Sequence, residues 1–204
     1  GIHPAKEIIT KALQAGKHVV TANKALLAYH GDELMRVARE NNVALAFEAS
    51  CAGGIPIVRI LSQALLGENI EAIYGILNGT CNYILSQMSS QSYESALKQA
   101  QELGLAEADP TLDVSGGDTA HKIAILSTLA FGVRVPMESI QTNGIDSLDP
   151  IDIAYAKRLG FVVKLLAIAQ RTEEGPHVVV RPAFISKEHP LARVNNSFNA
   201  VSVY

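Results

Sequence analysis

Two cysteines, Cys51 and Cys81, are the only thiols in this chain of 204 residues, which excludes a disulfide framework. Each lies in an apolar stretch where a small thiol packs as a hydrophobe, and a reducing compartment, the cytoplasm, is the expected location. Positive charge is also in short supply. Lys and Arg number 17 against 20 Asp and Glu, and the formal charge of -3 argues for no nucleic acid and no membrane surface as a partner. No run approaches the roughly 18 apolar residues of a membrane-spanning helix. The first residues lack the charged and apolar regions of a secretory leader. The six histidines have no metal-ligand spacing and no Gly-x-Ser-x-Gly elbow occurs, so hydrolase chemistry starts without support. Repeats and low-complexity tracts are missing as well. What is present is 48% apolar residues, enough to bury a core in one good-sized domain plus part of a second. Small molecules or another protein chain are the expected partners.

The patterning gives an order of elements. Ile8, Ile9, Ala12 and Leu13 recur at helical spacing behind Pro4, Gly16 stops the helix, and His18-Val19-Val20-Thr21 reads as a short strand. This resembles an excerpt of a βαβ array, with further sequence expected before Gly1. A helix over residues 31–42, the strand Val43-Ala44-Leu45-Ala46-Phe47, a glycine turn and a helix over residues 56–66 make a second such unit. A strand over residues 70–77 closes on Asn78-Gly79-Thr80, helices follow to about residue 132, and β-rich segments occupy residues 161–168, 178–184 and 198–204. The expected class is α/β (α+β), a mixed β-sheet covered by helices and preceded by the βαβ fragment.

Four stretches can carry chemistry. In Glu107-Ala108-Asp109-Pro110-Thr111-Leu112-Asp113-Val114-Ser115-Gly116-Gly117-Asp118-Thr119-Ala120-His121-Lys122, a helix starting near Gly117 puts Asp118 and Lys122 on one face, with Asp118 at the positive end of the helix dipole. Such a pair is usually a solvated surface contact. Here the helix continues as Ile123-Ala124-Ile125-Leu126-Ser127-Thr128-Leu129-Ala130-Phe131 with no further charge, so it reads as buried, and charges at its mouth need a reason. Carboxylates around one amine suit a site that binds a zwitterion and exchanges a proton. Lys24 closes Thr21-Ala22-Asn23-Lys24 at a strand end, where open α/β sheets meet their ligands, although a lysine there is more often solvated. Asn78-Gly79-Thr80 suits an anion at a helix start, against the commoner reading of a turn with a Thr cap. Glu48-Ala49-Ser50-Cys51-Ala52-Gly53-Gly54-Ile55 could wrap carbonyls around a hard cation, although a plain glycine turn is commoner.

Together these stretches resemble the homoserine dehydrogenase family, as do His189-Pro190-Leu191-Ala192 and Phe198-Asn199-Ala200 further on, so the likeness spans essentially all 204 residues. The resemblance implies a remnant of a Rossmann-type NAD(P)-binding domain over residues 1–56 and a catalytic, substrate-binding and dimerisation domain over residues 57–204. It implies NADP- or NAD-dependent, reversible reduction of L-aspartate 4-semialdehyde to L-homoserine by a homodimer. By position, Lys122, Asp118 and Lys24 would be catalytic, with Lys122 the general acid. Glu107, Asp113 and Thr80 would bind substrate, and Asn23, Lys24, Gly79 and Thr80 the cofactor. A sodium ion would sit at Glu48, Cys51, Gly53 and Ile55, mainly on main-chain oxygens, with Cys51 where the family often has an aliphatic residue. The sequence departs from the family in lacking the Gly-x-Gly-x-x-Gly fingerprint and the acidic residue that follows it. Two other readings stand beside this one: an inactive, self-associating core, and a related reductase of another amino-acid semialdehyde.

Overall fold

Helix α1 (Ile2–Gln14) turns Leu13 inward onto α2 (Lys24–Glu40), where Leu26, Leu34, Val37 and Ala38 complete a small separate core. The computed structural model describes residues 2–204. Between these helices lies β1 (Val19–Val20), paired in parallel with β2 (Leu45–Ala46). Helix α2 begins at Lys24, not at Gly31 as the pattern suggested. The Asn23 side chain caps it by accepting from the Leu26 amide at 3.0 Å, and Leu26, Leu27 and Ala28 are buried. Gly31 is mid-helix, and an added Cβ would meet only the Leu27 side chain at 3.8 Å, so it marks no boundary. The strand expected over residues 43–47 shrinks to two paired residues because β1 is equally short.

After a 3-10 turn (Glu48–Ser50), α3 (Ile57–Arg59) passes directly into a π-helical turn (Ile60–Ala64), where a regular helix over residues 56–66 was expected. Ser62 Oγ donates to the Val58 carbonyl at 2.7 Å, a side-chain bond that competes with the regular ladder. Strand β3 (Ala72–Ile76) then leads to α4 (Gly79–Gln87), α5 (Tyr93–Glu102), the single turn α6 (Thr111–Val114) and α7 (Gly117–Phe131). The rest of the chain is β4 (Gln141–Thr142), α8 (Pro150–Arg158), β5 (Phe161–Thr172), β6 (Gly175–Ser186) and β7 (Ala200–Val203). Helix α8 was not anticipated, although Asp149 caps it and Pro150 opens it.

Strands β3 to β7 form one mixed sheet in the order β4-β6-β5-β3-β7, antiparallel except for β4 with β6. The β5–β6 hairpin is its spine, paired from Phe161 with Ser186 to Thr172 with Gly175. One face, through Val163, Leu165, Ala167 and Ala169, packs against the helices; the other carries Ile76, Leu166, Ile168, Val179 and Ile185. Helix α7 lies in the first core with Ile123 and Leu126 fully buried, as its uncharged run implied. Its start is clamped from outside. Ile145 donates to the Val114 carbonyl at 2.7 Å, and a Cβ on Gly144 would overlap that same oxygen and lie 2.5 Å from Ser115 Cα. Only glycine lets the chain press so closely on the α6–α7 turn, where Gly116 takes φ 85.

Candidate active site

The site is built where the apolar strand β3 runs out. Leu77 is buried, and Asn78 caps α4 by accepting from the Cys81 amide at 2.8 Å. That bond fixes the amide so that both N–H bonds of Asn78 Nδ2 point at carboxylates: Asp113 Oδ1 at 2.7 Å and Asp118 Oδ2 at 2.8 Å. The α6–α7 turn delivers both acids, one at each side of Gly116.

Asp118 is 4% exposed and binds two amines. Lys122, one turn along α7, lies 2.7 Å from Oδ2, and Lys24, from the start of α2, lies 3.1 Å from Oδ1. Lys122 Nζ also donates to the Leu77 carbonyl at 2.7 Å. An ammonium has three N–H bonds, so among the described residues one on Lys122 is uncommitted. The side chain of Lys122 is 15% exposed and that of Lys24 34% exposed, so the pair sits at the edge of solvent.

The two carboxylates are driven apart. Burial pushes Asp118 upward, but the Lys122 charge and hydrogen bond, the Asn78 amide and Lys24 together outweigh it and hold Asp118 below the usual aspartate range. Asp113 is raised, by burial first and by the Asp118 charge, against the Asn78 bond. Asp118 therefore contributes stability that is present above the ordinary aspartate range and lost as pH falls through its lowered value. Asp113 has the opposite sign: keeping it charged costs stability, and protonation relieves that cost. A carboxyl-carbon NMR titration is expected to show Asp113 taking its proton at higher pH than Asp118; the reverse order would overturn this assignment of environments.

The other expected site residues divide. Thr80 is buried with its hydroxyl donating to the Leu105 carbonyl at 2.6 Å, and the Cβ position of Gly79 faces the Ser197 carbonyl at 2.6 Å. Asn23 serves as the cap of α2. Glu107 is exposed, and among the described residues its carboxylate has no hydrogen bond or ion pair. The Glu48 carboxylate accepts from the Val58 and Arg59 amides, each at 3.0 Å, capping α3. The Cys51 thiol is buried, is pushed up to about 11 by burial, and approaches the Lys122 carbonyl at 3.8 Å. Among the described residues no group of three or more His, Cys, Asp or Glu could hold a metal ion. Asn78 was read in the sequence only as part of an anion anchor; that its amide holds both Asp113 and Asp118 was missed.

Comparison with known proteins decides the lineage. The homoserine dehydrogenase family model matches residues 56–204, and that for the NAD binding domain of homoserine dehydrogenase matches residues 1–48. The chain belongs to the homoserine dehydrogenase family. It is 49% identical to the homoserine dehydrogenase of Synechocystis sp. and 48% identical to that of Bacillus subtilis, each match covering 100% of this chain and 48% of the relative. The crystal structure of the homoserine dehydrogenase from Thiobacillus denitrificans superposes with TM-score 0.96 at 46% identity, over 100% of this chain and 48% of that one. A hyperthermophilic archaeal homoserine dehydrogenase in complex with NADPH superposes with TM-score 0.85 at 32% identity, over 98% of this chain and 58% of that one. The chain thus spans about half the length of the homoserine dehydrogenases it matches. No helix among the described residues is long and apolar enough to cross a membrane.

Proposed function

We propose that the whole protein reversibly reduces L-aspartate 4-semialdehyde to L-homoserine with NADPH or NADH, and that Lys122 exchanges the proton. The observation that carries this is the single Asp118 carboxylate holding Lys122 and Lys24 together beside Asn78 and Asp113. When bound, the reduced nicotinamide supplies a hydride to the carbonyl carbon. The uncommitted N–H of Lys122 meets the charge that develops on oxygen and passes its proton there; in reverse, neutral Lys122 takes the hydroxyl proton. Asp118 and the Leu77 carbonyl hold that ammonium still, so little reorganisation accompanies the step. Asp113 Oδ2 and the Glu107 carboxylate, without partners among the described residues, suit the substrate's ammonium group.

The residues present fit the cofactor at its reactive end: Lys24 stands beyond the carboxyl end of β1, in the crevice position of an open parallel sheet. Asn23 adjoins Lys24 and Gly79 adjoins Asn78 along the chain, which supports reading them as cofactor-binding residues; Thr80 follows, with its hydroxyl committed to the Leu105 carbonyl. A sodium ion fits the turn only through main-chain oxygens: the Cys51 and Gly53 carbonyls accept no backbone hydrogen bond among the described residues, whereas the Ile55 carbonyl already accepts from the Ile57 amide at 2.8 Å and the Glu48 carboxylate caps α3. It would brace the turn next to Lys122 and take no part in proton transfer. We read residues 1–56 as cofactor domain and 57–204 as catalytic domain, pairing two copies through the sheet face on which Tyr74, Val162 and Ala183 are only partly covered. The cytoplasm is the proposed location.

The test is oxidation of NADPH by the whole protein with aspartate 4-semialdehyde. Turnover that needs both reactants is expected, and absence of any semialdehyde-dependent oxidation would sink the reading.

A further inference from the structure

Strand β5 is apolar through its buried length except at one position. Lys164 lies in Val162-Val163-Lys164-Leu165-Leu166, is 2% exposed, and has no carboxylate partner among the described residues. Burial pushes its ammonium down to about 8. An apolar residue would avoid the cost of sheltering a charge without a counter-charge, so the position calls for an explanation.

Its hydrogen bonds supply one. Lys164 Nζ donates to Asn82 Oδ1 at 2.9 Å, the Val194 carbonyl at 2.6 Å and Asn195 Oδ1 at 3.3 Å. A lysine can only donate, so its bond to Asn82 Oδ1 fixes which way that amide faces. Asn82 Nδ2 is thereby turned to the Val194 carbonyl at 3.0 Å and the Phe198 carbonyl at 3.1 Å. Residues 194–198 are thus bound to the first turn of α4 at both ends. Between these bonds the Ser197 carbonyl lies 2.6 Å from where a Cβ on Gly79 would stand, so only glycine admits this close approach of residues 194–198 to the start of α4. The cap of this same turn is Asn78, whose amide holds Asp113 and Asp118.

We propose that Lys164 is a positioning residue for the Asp118–Lys122 centre, acting through Asn82 and residues 194–198 to fix the start of α4 that carries Asn78. The proposal rests on the reading of that centre as the reaction site. Lys164 touches none of the reacting groups; removing it frees the Asn82 amide to turn over, loosens residues 194–198, and lets the α4 start drift.

The experiment compares Lys164→Met, Asn82→Asp and the double variant in the whole protein. Asn82→Asp keeps the acceptor for Lys164 and loses both donors to residues 194–198. Turnover is expected to fall roughly 10- to 100-fold in each single variant, the scale on which small misplacements act. The double variant should be little worse than either, because both changes break one linkage. Unchanged kcat and KM in the folded Lys164→Met protein, with only a lower melting temperature, would leave a structural role and overturn the proposal. Should that variant not fold, unchanged kinetics in Asn82→Asp overturn it equally. A readout independent of turnover is the pair of Asp113 and Asp118 carboxyl signals, which should move in these variants. If they stay in place the proposal fails, even where the wild-type protein reduces no semialdehyde and the functional reading has failed separately.

Discussion

Replacing Lys122 by Met in the whole protein is expected to lower turnover of aspartate 4-semialdehyde by about 10³-fold, the range for loss of a positioned general acid. Binding of the cofactor should change little. Methionine keeps most of the buried stem, and Asp118 retains Lys24 and the Asn78 amide. The cost to folding is then mainly the Leu77 carbonyl left without its donor, about 1–2 kcal/mol. A large loss of turnover with a modest loss of stability separates a chemical role from a structural one. Near-normal turnover in the folded variant would remove Lys122 from the mechanism.

Asp118→Ala is expected to act on stability as strongly as on rate. The carboxylate is almost fully buried and shared by two amines, one of them only 15% exposed. Removing it leaves Lys122 sheltered beside a carbonyl without its bonded counter-charge, with Asp113 acting only at longer range, at a cost of roughly 3 kcal/mol. The Lys24 contact adds little, because that side chain is a third exposed and its contribution is screened. Asn78 loses one of its two acceptors as well. In a domain of this size the melting temperature should fall on the order of 5–10 °C. Asp118→Asn keeps the shape and should lose less. Thermal unfolding of the two variants checks this, and a drop of under about 2 °C for Asp118→Ala would mean that solvent already compensates the amines.

Different parts of this molecule were legible in its sequence for different reasons. The Asp118–Lys122 pair could be read because helix geometry alone makes the two residues neighbours, and the uncharged run behind them marked the helix as buried. Their meeting with Lys24 depends on packing α2 against α7, which no local rule specifies; strand-end placement and family likeness pointed to it. Asn78 was legible as an anion anchor at a helix start, but its hold on two carboxylates was not, because Asp113 and Asp118 lie 35 and 40 residues away. Lys164 is similar. Its charge in an apolar strand is plain in the sequence, but Val194, Asn195 and Asn82 come to it only in the folded chain. The early start of α2 was obscured by Gly31, read as a boundary when Asn23 was the cap, and the order of the five strands left no local trace.

The most direct measurement is a crystal structure of the whole protein with homoserine and oxidised cofactor bound. Proton exchange by Lys122 requires the homoserine hydroxyl oxygen within about 3 Å of its Nζ, with Asp118 still bridging to Lys24. A hydroxyl directed elsewhere, with no water linking it to an ammonium that keeps only its bonds to Asp118 and Leu77, would contradict the account.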